Sequence, residues 1–221
     1  MTPSEIIFLI LEIVGTVAFA VSGAFAAIKA KLDIFGVLFI GCITAVGGGI
    51  TRDLLIGETP PRIFKVENLY ILAIAAVSAL VVFVAAYLSR KKFLTAYEQV
   101  EPIQNVFDAF GLAAFSVTGT AVAFDAGLSG NPVLAILLGM LTGVGGGVFR
   151  DVLTSTTPYI FKKHVYALAS IGGASVYYVM RLFIEPILIP SLVAMALVVA
   201  VRLLAAKYRW SLPKVKLEDE E

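Results

Sequence analysis

The sequence predicts an all-α integral membrane protein of seven transmembrane helices, built as two inverted three-helix repeats plus a seventh helix. Three observations predict it: an extreme apolar composition, seven apolar runs of membrane length, and a pattern that returns after three of them. The chain has 221 residues, 59% of them hydrophobic and 15% charged, with a mean hydropathy of +0.94. A soluble domain carries about 25% charged residues.

A span needs about 20 mostly apolar residues. Seven such runs occur, at roughly 5–28, 34–56, 67–89, 102–125, 131–154, 164–183 and 186–206. The first run has no Lys or Arg before it, so it reads as a true span rather than a cleaved signal peptide. The connections are short and polar, from the KAKLD turn at 29–33 to the Glu185-Pro186 break before the last span. The units are then a first repeat at 5–89, a second, inverted repeat at 102–183, a seventh helix at 186–206 and a polar tail at 207–221.

Lys and Arg are unevenly shared between the two sides. One side carries Arg62, Lys65 and Arg181. The other carries eleven, among them Lys29, Lys31, Arg90, Lys91, Lys92, Lys162, Lys163 and Lys207. The positive-inside bias places the N-terminus outside and the C-terminus in the cytoplasm.

The repeat is explicit. EIVGTVAFAVSG at 12–23 matches DAFGLAAFSVTG at 108–119, so Glu12, Gly15, Phe19, Ser22 and Gly23 align with Asp108, Gly111, Phe115, Thr118 and Gly119. GGGITRD at 47–53 returns as GGGVFRD at 145–151, and Thr59-Pro60 and IFK at 63–65 return at 157–158 and 160–162. Self-similarity on this scale marks duplication. Three spans per copy is an odd number, so the second copy enters the membrane upside down.

The duplicated glycine triplets, Gly47, Gly48, Gly49 and Gly145, Gly146, Gly147, stand in spans two and five. Consecutive glycines weaken a helix, and Gly-interrupted spans at matching positions of two halves point to a permeation site. They are expected to kink the helices that line a central path, with the hydroxyls of Ser22 and Thr118 facing it. Thr44 and Thr142, just before the triplets, are weaker candidates. Close helix packing is the alternative role for such small residues.

Ionisable residues at membrane depth face a wet cavity or pair with each other. Arg52, Asp53, Arg150 and Asp151 follow the triplets, and Glu12 and Asp108 lie two turns into spans one and four. Each arginine is open to two roles: a vestibule charge that meets a lipid phosphate or a carboxylate, or half of a structural ion pair with Glu12 or Asp108.

Other chemistry is not expected. The net charge of +1 and the lack of a long basic tract give no reason to expect nucleic acid. The single Cys42 excludes an intrachain disulfide, and the single His164 has no second His or Cys near it, so neither metal nor cofactor is expected. GVGGGVFRD lacks the spacing of a phosphate loop, and no nucleophile–base pattern suggests an enzyme.

The duplicated GGGxxRD, the two inverted three-span repeats and the extra span resemble the prokaryotic branch of the trimeric intracellular cation (TRIC) channels, over about residues 5–206. That resemblance implies a homotrimer in a prokaryotic plasma membrane. Each protomer would hold an hourglass pore lined by spans two and five, passing monovalent cations, potassium above all and sodium with weak discrimination. Bound phospholipid would be the one non-protein component. Animal members carry a Lys-Glu-Val motif linked to phosphoinositides, which is absent here. Related bacterial sequences are also grouped as glycine transporters, so a small-solute carrier is the alternative function.

Overall fold

The computed structural model describes residues 2–88, 97–162 and 165–210. Most of the expected connection at 89–101, His164 and the tail beyond 210 lie outside the described residues.

Three of the helices begin where the local sequence supplies a side-chain cap. Helix α1 (Pro3–Lys29) starts at Thr2, whose hydroxyl accepts from the Glu5 backbone while Glu5 reaches back to the Thr2 N–H. Helix α2 (Ile34–Leu55) is capped by Asp33, which accepts from Gly36 N at 2.8 Å. Two 3₁₀ turns, Arg62–Phe64 and Val66–Asn68, lead into α3 (Leu69–Leu88). Helix α4 covers Tyr97–Asp125. Asn131 caps α5 (Pro132–Leu153), with proline at its first position. A single turn, α6 (Tyr159–Lys162), precedes α7 (Val165–Phe183) and α8 (Leu188–Lys207).

Among the described residues, six helices are long and apolar enough to cross a membrane: α1 to α5 and α8, α3 together with the 3₁₀ turn before it. The sixth expected span is present as the 19-residue helix α7 but is not one of the six. Its three tyrosines, two serines, two glycines and Arg181 dilute its apolar residues. The apolar surface turns outward, with Phe35, Val77, Val81, Val133 and Phe183 exposed, as side chains facing lipid would be.

Helices α1, α2, α4 and α5 form the centre, and their contacts fix how they run. A Cβ on Gly15 would meet the Phe115 ring, and one on Gly111 the Phe19 ring; the two rings stand edge to face at 5.3 Å. So α1 and α4 are antiparallel. A Cβ on Gly48 would strike the Thr142 carbonyl oxygen, and one on Gly146 the Thr44 carbonyl oxygen, so α2 and α5 cross antiparallel as well.

That crossing revises the expected role of the glycines. Neither triplet interrupts its helix: α2 and α5 are continuous through both. Tertiary packing overrides the poor helix propensity of glycine. Gly48 and Gly146 let two backbones touch, and either helix would be pushed off by a single methyl group. Thr44 and Thr142 bond back to their own helices, to the carbonyls of Ile40 and Leu138, both at 2.6 Å.

Candidate functional site

The antiparallel crossing sends the C-terminal turns of α2 and α5, and with them the two Arg-Asp pairs, to opposite ends of the four-helix centre. The two ends share one local device. At the first, Arg52 donates from Nε and Nη2 to Asp53 Oδ1 at 2.9 and 2.7 Å, and the Arg62 backbone N–H donates to Asp53 Oδ2 at 2.9 Å. At the second, Arg150 Nε donates to Asp151 Oδ1 at 2.8 Å, and the Tyr159 backbone N–H donates to Asp151 Oδ2 at 2.9 Å. Each aspartate therefore holds its neighbouring arginine with one oxygen and staples the following connection with the other. A loop with a Thr-Pro step follows in both copies, and each staple closes on the residue before the repeated IFK, nine residues after Asp53 and eight after Asp151.

Beyond the staple the ends differ. The first opens on a cavity of about 250 Å³ that runs between α1, α2 and α4 down to Thr142 of α5. Glu12, Arg52, Asp53, Arg62, Asn68 and Asp125 form its polar upper wall, and Thr16, Gly49, Phe115 and Thr118 line it further in. Asp53 is fully engaged, and Arg62 adds an ion pair to it at 3.3 Å. Glu12 and Asp125 make no hydrogen bond or ion pair among the described residues. The Thr16 hydroxyl is buried and has no hydrogen-bond partner. Two free carboxylates and unpaired hydroxyls give this cavity a surface that attracts and can partly solvate a cation.

At the second end the corresponding charged side chains are buried. Arg150 is fully buried, its Nη1 donating both to Asp108 and, at 2.7 Å, to Ser22 Oγ. Its guanidinium lies 5.1 Å from the Tyr159 ring centroid. Arg202 of α8 comes within 4.0 Å of Asp108 Oδ2 and sits over the Tyr166 ring at 4.6 Å. Asp108, Asp151, Arg150 and Arg202 are all buried, two negative charges against two positive. Charge neutrality and the hydrogen bonds of Arg150 to Asp108, Asp151 and Ser22 make such a buried cluster tolerable.

The structure thus divides the candidate residues of the sequence. Glu12, Arg52, Asp53, Gly49 and Thr118 line the cavity. Ser22, Asp108, Arg150 and Asp151 form the buried cluster. Gly47, Gly48, Gly145, Gly146 and Gly147 line no part of the cavity. Gly47 faces the Phe149 ring, Gly48, Gly145 and Gly146 lie at the helix crossing, and Gly147 faces Tyr166. Arg52 pairs with its own neighbour Asp53 and not with Glu12, whereas Arg150 pairs with both Asp151 and Asp108.

Sequence reasoning missed Asp125, Arg202, Tyr159 and Tyr166. For Arg202 a signal was present: an arginine inside the last apolar run has to find a buried partner or a wet cavity. For Tyr166 the signal was a further repeat match, Tyr70-Ile-Leu-Ala against Tyr166-Ala-Leu-Ala.

Comparison with known proteins places these features in a group. A family model described as "Glycine transporter" matches the chain twice, over residues 9–86 and 105–181. The UPF0126 inner membrane protein YadS of Escherichia coli K12 is 36% identical, over 95% of this chain and 96% of its own length. A solved structure described as a TRIC cation channel, in work on conductance, is 33% identical with a TM-score of 0.79, covering 96% of this chain and 98% of that one. The TRIC trimeric intracellular cation channel orthologue from Rhodobacter sphaeroides is 28% identical with a TM-score of 0.81, over 92% of this chain and 99% of the orthologue.

Proposed function

The chain belongs to the prokaryotic TRIC family, and from that premise we propose that it is a monovalent cation channel with its path inside the protomer. The observation that carries this reading is the likeness, along nearly the whole of both chains, to structures described as cation channels. A channel function also makes an enzymatic one unnecessary. The path runs between α1, α2, α4 and α5, entering at the cavity with Glu12, Asp125, Thr16 and Thr118 and leaving past the Arg150 cluster. The duplicated segments act as an inverted repeat, with α7 as a seventh crossing outside the six membrane-length helices and α8 outside the duplication. The glycine triplets let α2 and α5 cross closely beside that path, and Gly49 opens onto it.

Potassium is the ion expected to flow best, with sodium close behind. A wet passage lined by carboxylates and hydroxyls discriminates weakly compared with a ring of backbone carbonyls. The unit in the membrane is a homotrimer, in a bacterial plasma membrane, with the N-terminus outside. Lipid phosphates are the expected partners of the exposed basic residues.

Current across a planar bilayer holding the purified protein, in asymmetric potassium chloride, tests the reading. Unitary steps reversing near the potassium potential are expected. A silent bilayer together with saturable glycine uptake into liposomes would replace the channel by a carrier. Two observations favour that second reading: the description of the matching family model, and one end open while the other is closed, which is the arrangement of a carrier caught facing one side.

A further inference from the structure

We infer that Arg202, supplied by α8 from outside the duplicated segments, is the positioning residue of a lock that closes the second end of the path. The lock is the buried contact of Asp108 and Ser22 with Arg150. The inference rests on the path proposed above but holds for a channel or a carrier alike.

The two ends carry equivalent residues, so what closes one of them has to be something the other lacks. Glu12, Thr118 and Arg52 occupy the repeat positions of Asp108, Ser22 and Arg150. They line a cavity, and Glu12 and Thr118 make no hydrogen bond among the described residues. The tyrosines differ in the same sense: Tyr70 is 40% exposed, while its counterpart Tyr166 is 1% exposed beneath the guanidinium of Arg202. Among the described residues, no helix stands to Tyr70 as α8 stands to Tyr166.

The electrostatics explain why Arg202 acts on Asp108. Asp108 Oδ1 is taken by Arg150, while Oδ2 makes no hydrogen bond and looks toward Arg202 Nη2 at 4.0 Å. Without Arg202 the cluster has two carboxylates and one guanidinium, a net buried negative charge that draws in water or a cation. With it the cluster is neutral, and Asp108 remains on Arg150. The cluster is nevertheless ready to be wetted. Arg150 Nη2, Arg202 Nε and Tyr166 OH are buried with no hydrogen-bond partner. Gly147 leaves room where two of them converge, since its Cβ would lie 2.9 Å from Tyr166 OH and 3.7 Å from Arg150 Nη2. Separation of Asp108 from Arg150 would leave these unpaired polar groups open to water.

The test reads access to one position from either side of the membrane. A Cys42→Ala, Thr118→Cys full-length chain carries its reporter thiol in the cavity. A charged, membrane-impermeant methanethiosulfonate is applied to spheroplasts and, separately, to inside-out vesicles of an expressing bacterium. In the parent the thiol should react quickly from the cavity end and slowly from the lock end. Arg202→Met should raise the lock-end rate at least tenfold and leave the cavity-end rate unchanged. Arg202→Lys, which keeps the charge near Asp108, should stay within threefold of the parent. Where Arg202→Met gives no monodisperse protein, Arg202→Gln takes its place under the same criterion. A lock-end rate unchanged in the neutral variants, an equal rise from both ends, or a rise in Arg202→Lys as large as in Arg202→Met overturns the lock. The first of these outcomes assigns the difference between the ends to the Asp/Glu and Ser/Thr exchanges instead. Failure to label from either end in the parent overturns the path reading, and the lock with it.

Discussion

At one end of the bundle Arg52 leaves 12% of its side chain exposed beside a cavity; at the other Arg150 leaves none. Both arginines follow three glycines, both precede an aspartate, and both aspartates staple the next connection to the helix end. The difference begins one shell out. Arg150 gathers Asp108, Ser22, Asp151 and the ring of Tyr159, and Arg202 completes the charge balance. Arg52 has Asp53, and Glu12 stands apart across open space. A duplicated motif therefore fixes the local fold twice but not the local environment, which depends on what packs behind it. By the inference drawn above, Arg202 of α8 sets the two ends apart.

Four changes would break or sharpen that contrast, and they differ in size. The largest is at Asp108. Asp108→Ala leaves Arg150 buried with one carboxylate fewer, a loss of about 3–5 kcal/mol for an uncompensated buried charge. Its repeat equivalent Glu12→Ala should alter stability by less than about 0.5 kcal/mol, because Glu12 has no partner to lose. Thermal unfolding in detergent checks both, and equal shifts would erase the distinction between the two ends.

Next is the helix crossing. Gly48→Ala and Gly146→Ala each drive a methyl group into a backbone carbonyl, which cannot move as a side chain would, at about 1–3 kcal/mol or more for overpacking. Gly49→Ala meets only the tip of Arg52, at 3.7 Å, and should be neutral or gain up to about 1 kcal/mol of helix propensity. The same unfolding assay ranks the three, and a stable Gly48→Ala protein would contradict the close crossing.

A smaller, functional effect is expected from Glu12→Gln. Removing one of two free carboxylates from the cavity should lower cation current about twofold at low salt and leave it unchanged at high salt, where surface charge is screened. Current measured from 20 mM to 1 M potassium chloride tests this, and a salt-independent loss would mean that Glu12 binds the ion directly. The smallest change is Arg62→Gln. It removes a partly exposed ion pair to Asp53, whose oxygens remain occupied by Arg52 and the residue-62 backbone, so about 0–1 kcal/mol is at stake. A larger shift would show the first end to be as tightly knit as the second.

Most of the residues that carry this contrast, though not the contrast itself, could be read in the sequence. Apolar runs gave the helices, because a membrane-length stretch without charge has few other stable states. Arg52, Arg150, Glu12 and Asp108 stood out because charge at membrane depth is costly and rarely accidental. The division of those residues between a cavity and a sealed cluster was not legible, since Glu12 and Asp108, or Ser22 and Thr118, differ by a methylene or a methyl. Nor was the work of the glycines: a triplet that weakens a helix in isolation is the same string that lets two helices touch.

The sequence by itself determined the helices, their duplication and the residues that would be costly to bury, because each follows from local composition and spacing. Only the tertiary structure decided which arginine is sealed and which faces open space. That choice depends on Arg202 reaching Asp108 and the Tyr166 ring from another helix, and contact between residues so far apart in the chain is set by packing, which no local pattern encodes.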